Sequence, residues 1–300
     1  MDILSTWGCV LLDDSFSSLF KYPDRTDVNF TNYAERDGIT PDLRKCGFKP
    51  KSVSLNFLMK HSSESDFWAK YQAFFTDMAA AGYRTAVPGN GMTYRLRYDR
   101  TAGYRSPNLH NAGNNITVFT LNFIEDDHSI PLGGSPSGGI PITGYYGVNG
   151  IDFGAFGVHP DGEIGAMLHY PDVKEPFTDG QTIDLDTRRI KHKEITLPLW
   201  MVAASQSEFV NNCSAFFAQF AQPGKQSLYI REIGGTTYVY YTGCTSFSVF
   251  WGQKPGAKFS IRLTVPVVTW LDGTERILTV LFDPTYGALA DENGRLLTLT

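Results

Sequence analysis

The sequence predicts a mainly β protein made of two tandem homologous domains, and three observations carry that reading. First, residues 37–82 align without a gap on residues 179–224, with 17 of 46 positions identical. Second, each copy holds an alternating apolar run: Val53, Leu55, Phe57 and Met59 in one, Ile195, Leu197, Leu199 and Met201 in the other. Period-two alternation marks a strand with one buried face. Third, the remaining apolar runs, such as "NITVFTLNFI" and "KFSIRLTVPVV", are rich in the β-branched and aromatic residues that strands prefer. Self-similarity at a fixed offset signals repeated structural units. Short-repeat arrays have periods of roughly 20–50 residues, and the much longer offset here makes each unit a domain. Each is expected to be an antiparallel β-sandwich or partly closed barrel with one flanking helix.

In each copy a helix follows the alternating strand. Ser63 and Ser205 are its N-caps, with Asp66 and Glu208 three residues on; the second pair has capping-box form. Phe67, Tyr71, Phe74, Phe75 and Met78 fall on one helix face, and Phe209, Cys213, Phe216, Phe217 and Phe220 repeat the spacing. Gly82 and Gly224 are expected to end the helices. Strands resume with "MTYRLRYD" and "TTYVYYTG".

The stretch "HSIPLGGSPSGGIPITG" is dominated by Gly, Ser and Pro and reads as a linker. The expected division is a first domain over 1–127, a linker over 128–144, a second domain over 145–271 and a C-terminal β extension over 272–300. "ILTVLF" and "RLLTLT" in that extension are expected to extend the second sheet or to add a strand to a neighbouring subunit.

The chain is 300 residues long, 42% hydrophobic and 19% charged, which suits about two globular domains. A net charge of −5 without a basic run argues against a phosphate-reading surface, so no specific nucleic-acid binding is expected. No secretory signal is visible at the N-terminus, and no apolar run reaches about 18 residues, so no membrane anchor is expected. Cys9, Cys46, Cys213 and Cys244 form no CxxC pair and read as buried free thiols of a reducing compartment.

Catalytic signatures are missing from the sequence: there is no HExxH, GxSxG or Walker-type loop. His61, His110, His128, His159, His169 and His192 show no metal-ligand spacing on a helix. Asp184 and Asp186 share a strand face, but only Asp184 has a counterpart, Asp42. The acidic run 125–127 reads as a solvated strand end, and "DENG" at 291–294 as a hairpin turn. Tyr145, Tyr146, Tyr238, Tyr240 and Tyr241 could form a sugar-stacking platform; core or intersubunit packing is the commoner use of strand aromatics. No catalytic, cofactor or metal residue is therefore assigned, and no enzyme activity is expected.

"GVNGIDFGAFGV" at 147–158 resembles the opening strand and turn of the distal tail proteins of long-tailed bacteriophages, and "DGQTIDLDTRRIKHKEITLPLWM" at 179–201 is similar to their next hairpin. The helix and "PGKQSLYI" fit the same order, also found in tail-tube subunits, and "GCVLLDDSFSSLF" matches more loosely, without the Asn-Gly turn. The resemblance implies a structural ring at the distal tail or baseplate that continues the tail tube, without cofactor or reaction. It implies a virion component assembled in the bacterial host cytoplasm, whose partners are itself and neighbouring tail-tube and baseplate proteins. Two domains per chain would let three copies build a pseudo-six-fold ring; a six-chain ring is the other arrangement. The alternative function is a carbohydrate- or receptor-binding β-sandwich of the tail tip.

Overall fold

The computed structural model describes residues 2–33, 36–89, 92–105, 115–128, 133–136, 144–161, 172–174, 189–231 and 235–268, with four two-residue strands beyond. The first half comprises α1 (Ile3–Trp7), β1 (Cys9–Leu11), α2 (Asp14–Phe20), β2 (Phe30–Thr31), β3 (Thr40–Pro41), β4 (Lys51–His61), α3 (Glu64–Ala79), β5 (Tyr83–Ala86), β6 (Tyr94–Arg105) and β7 (Asn115–Glu125). The second comprises β8 (Tyr146–Val148), β9 (Ile151–Asp152), a 3-10 turn (Phe153–Phe156), β10 (Val158–Pro160), β11 (Val173–Lys174), β12 (Arg189–Ile190), β13 (Lys193–Val202), α4 (Gln206–Phe220), β14 (Gln226–Ile230), β15 (Gly235–Phe250) and β16 (Gly256–Val265). The protein is mainly β, its sheets are antiparallel, and they include a curled half-barrel.

The two large sheets share one plan. The first runs β1-β4-β7-β6-β5; the second runs β10-β13-β16-β15-β14 and continues into β8-β9. Their registers agree residue by residue. Met59 faces Cys9 as Met201 faces Val158, and Lys51 faces Glu125 as Lys193 faces Val265. Both long strands β6 and β15 carry two register shifts against their neighbour, at Tyr98/Arg100 and Thr101/Gly103, and at Tyr241/Gly243 and Cys244/Ser246. Each shift bends the strand locally and increases its twist, so both sheets curl at the same places.

The alternating strands bury the side chains that their pattern predicts: Val53, Leu55, Phe57 and Met59, and Ile195, Leu197, Leu199 and Met201, are all core. Ser63 Oγ accepts the Asp66 N–H, and Ser205 Oγ accepts the Glu208 N–H, both at 3.2 Å. The Glu208 carboxylate reaches back to the N–H of Ala204 at 2.9 Å. The helices stop at Ala79 and Phe220, before Gly82 and Gly224; at Ala80 the backbone turns extended (ψ 147°), and Ala221 still donates to the Phe217 carbonyl. The two glycines take up the left-handed turn that leads into β5 and β14 (φ 107° and 86°).

The resemblance rested on the Asn149-Gly150 turn, and both residues have positive φ, 52° and 79°. They close the β8–β9 hairpin, where Asn149 also holds the Ser227 N–H through its side-chain oxygen. Beyond residue 268 the described strands pair with one another, Thr279–Val280 with Thr298–Leu299 and Phe282–Asp283 with Gly287–Ala288. Among the described residues none of them pairs with the seven-stranded sheet; the rest of "ILTVLF" and "RLLTLT" lies outside the described residues. Most of the 128–144 linker, and the Asp179-Gly180 turn, lie outside the described residues.

Candidate assembly interface

Between β1 and β4 the chain makes a long excursion, residues 12–50, here called the arm. It begins on the first sheet and ends on it, yet its middle packs on the second. Its anchor is Lys51, 7% exposed, whose Nζ lies 2.8 Å from the Glu125 carboxylate and donates to the carbonyls of Leu19 and Lys21 at 2.8 and 3.1 Å. An ammonium out of water needs this many acceptors; burial still lowers its pKa. Glu125 is therefore an interior residue at the end of β7, which corrects the solvated strand end expected at 125–127. Only its neighbours fit that reading: Asp126 accepts from Arg97 and Tyr83, and Asp127 lies near Arg95.

The contact with the second sheet starts at α2. Ser17 Oγ accepts the Val249 N–H at 3.0 Å, and Phe16 and Phe20 flank Trp251. Phe20 meets Phe209, and Tyr22 stacks on Phe217. Tyr241 Oη donates to the Pro23 carbonyl at 3.0 Å. Asp24 takes the Cys244 N–H at 3.2 Å and sits 3.5 Å from the Arg262 guanidinium. Arg25 N–H donates to the Thr242 carbonyl at 3.1 Å. Two of these contacts, at the Cys244 N–H and the Thr242 carbonyl, reach backbone groups of β15 beside its register shifts.

A later stretch of the arm docks on β12 and on the chain just past the end of β16. Gly38 N–H donates to Ile190 O and Ile39 N–H to Pro266 O, both at 2.8 Å, while Asp37 accepts the Ile190 N–H at 2.9 Å. Lys174 Nζ donates to the carbonyls of Tyr33, Arg36 and Gly38. Between the two contacts lies a polar cavity of about 290 Å³ whose lining includes Asp24, Lys49, His192, Glu194 and Arg262.

The residues weighed for chemistry do not converge. His61 lies 3.1 Å from Asp66, His128 packs edge-on to Phe48, His159 lies against Trp200 and His192 is near Phe30. Burial lowers the pKa of both His128 and His159. His110, His169, Asp184, Asp186 and residues 291–294 lie outside the described residues. Asp42 clamps Arg44 at 2.6 Å, and that hydrogen bond holds its carboxyl at about 2. Among the described residues no three His, Cys, Asp or Glu side chains are grouped to hold a metal ion. No described helix is long and apolar enough to cross a membrane.

The tyrosines form no single platform. Tyr146, Tyr240 and Tyr241 are buried, whereas Tyr145 and Tyr238 are exposed, Tyr145 beneath Arg231. Cys9, Cys213 and Cys244 are buried free thiols, but Cys46 is only half-buried. Burial pushes Cys9 and Cys244 up to about 12, which keeps them protonated and unreactive.

The sequence reading missed the arm residues Tyr22, Pro23 and Asp24. A signal was present, because Tyr-Pro-Asp recurs at 170–172. It escaped notice because its offset differs from that of the longer repeat.

No family model matches the chain, and no curated protein matches it. Among solved structures the chain is similar to the crystal structure of the SPP1 Dit (gp 19.1) protein, described as a paradigm of the hub adsorption apparatus in phages that infect Gram-positive bacteria. The identity is 10% and the TM-score 0.26, over 81% of this chain and 88% of that one.

Proposed function

We propose that this chain is a structural subunit of a phage or prophage tail, forming a ring at the distal tail or baseplate that continues the tail tube. In this reading it carries out no reaction and binds no cofactor. Residues 1–127 and 145–271 are duplicated domains, joined by 128–144 and followed by the extension 272–300. One observation carries the reading: the first half docks its arm on the second half's sheet, between two units that share one strand order and register. A directional contact between like units is heterologous, and repeated from chain to chain it generates a closed ring or an open filament. The first-to-second contact already lies within the chain. Three chains then supply six similar units with three internal and three external contacts.

The placement in a tail rests on the residues that resemble distal tail proteins, chiefly the Asn149-Gly150 hairpin and the phrase that follows it. The partners would be further copies of the chain and the tail-tube and baseplate proteins above and below the ring. The site would be the virion tail, after assembly in the host cytoplasm. Negative-stain microscopy of the purified chain, with mass measurement of the particle, tests this. A ring of three chains with pseudo-six-fold outline is expected. Six chains per ring would replace the trimer, and a monomer at every concentration would remove the ring.

A further inference from the structure

The arm's contact has a counterpart site on the first sheet. Strand register pairs Tyr241 with Tyr98, Gly243 with Arg100, and Cys244 with Thr101, and the helix repeat pairs Phe217 with Phe75. On the second sheet, under the arm, Tyr241 and Phe217 are 0% exposed and Cys244 is 1% exposed. On the first sheet Tyr98 and Phe75 are half-buried, and Arg100 and Thr101 are exposed. One face is covered by the Tyr22-Pro23-Asp24 segment; among the described residues no such segment covers its equivalent.

The chain also contains a second copy of the covering segment. Tyr170-Pro171-Asp172 stands between β10 and β13 as Tyr22-Pro23-Asp24 stands between β1 and β4. Tyr170 and Pro171 enter here by sequence alone, but the residues that follow are described and hold the same pose in both halves. Lys49 N–H donates to Asp24 O at 2.8 Å, and Lys191 N–H donates to Asp172 O at 2.7 Å. Arg25 forms an antiparallel bridge with Phe48, and Val173 one with Ile190. The backbone of Asp24-Arg25 and that of Asp172-Val173 thus hold the same place beside their own halves.

The charges fit the same exchange. Asp24 faces Arg262, which is paired across the strands with Gly243. The equivalent pair on the first sheet is Asn122 with Arg100, so the arginine has moved to the other strand but stays in the same pair. A side chain at Gly243 would collide with Asp24; at position 100 no described aspartate occupies that place. There Arg100 lies 3.8 Å from Asp99 and is largely solvated, and Asp172 is exposed.

Resting on the ring reading above, we propose that Asp172 of one chain docks on the first sheet of a second copy. Asp172 faces Arg100 and accepts the Thr101 N–H. This is the external contact that closes the ring, built as the internal one is built.

The test is sedimentation of the full-length chain against its charge-swapped variants. Arg100→Glu and Asp172→Arg each alter an exposed side chain, so the fold should be kept, and circular dichroism checks it. Each alone should weaken assembly by roughly tenfold or more, since a like-charge contact replaces an ion pair. The Arg100→Glu/Asp172→Arg double variant should recover assembly. Singles that assemble like the native chain, or a double no better than the singles, would overturn the contact while leaving the native ring standing. A native chain that never assembles would remove the ring reading and this contact together.

Discussion

Tyr22 lies flat on Phe217: the ring centroids are 4.4 Å apart and the planes 8° apart. One residue belongs to the arm of the first half and the other to the helix of the second, so a single stack ties the two halves. Tyr22 also meets Phe48 and Tyr241 edge-on and is 1% exposed, and burial pushes its hydroxyl pKa up. The Tyr22→Ala protein should lose about 3–5 kcal/mol, the range for deleting a buried aromatic ring. Urea unfolding measures this, and an unchanged midpoint would refute the assigned role of the stack.

Gly38 is expected to be intolerant for two separable reasons. Its φ is +66°, and a Cβ there would run into the Pro266 carbonyl. Gly89 has φ +79° with nothing within 4 Å of its Cβ position, so it isolates the backbone term. Gly89→Ala should cost about 1 kcal/mol, within the range of left-handed strain. Gly38→Ala should cost clearly more and should loosen the arm, read as faster hydrogen exchange at Ile39. Equal costs at the two positions would show that the Pro266 contact is unimportant.

Replacing one partner of the buried Lys51–Glu125 pair should be more damaging than its single ion pair suggests. Glu125→Leu leaves an ammonium in the core with only the Leu19 and Lys21 carbonyls named above. Such a loss costs about 3–5 kcal/mol. The double variant Lys51→Met/Glu125→Leu should recover much of it, because two apolar groups need no solvation. A double-mutant cycle in chemical denaturation decides the point; strictly additive costs would contradict the pairing.

His159 should make the fold sensitive to mild acid. Burial lowers its pKa below the ordinary value of 6.5. Between 6.5 and the lower folded value, the unfolded chain binds more protons than the folded one. Stability is therefore complete above 6.5 and falls as the pH drops through that window. His159→Phe keeps the packing on Trp200 and removes the titration. Its stability should vary less between pH 7 and 5 than that of the native chain; identical pH profiles would exclude His159 as a source of the slope.

Phe216 contacts Phe153, Phe156, Phe220 and Phe259 and is fully buried. Phe216→Ala should cost about 3–5 kcal/mol. A melting temperature equal to the native one would contradict its place at the centre of the second core.

The sequence alone determined the β class, the alternating faces of β4 and β13, the serine caps and the Phe-rich helix stripes. Each of these is local: a period of two or 3.6, a hydroxyl one turn from an unpaired N–H, a glycine where φ is positive. The same locality explains why the repeat was readable at one fixed offset, through the strand and helix that form each core. It also explains the misreadings. Glu125 looks solvated in sequence because its partner Lys51 lies on another strand. Tyr241 looks available because its acceptor, the Pro23 carbonyl, is 218 residues away. Only the tertiary structure decided that the arm of one half covers the sheet of the other, since that depends on which open backbone groups and aromatic faces meet across the fold. Phe75 and Phe217 occupy one position of one repeated phrase, and what differs is the segment that lies on Phe217.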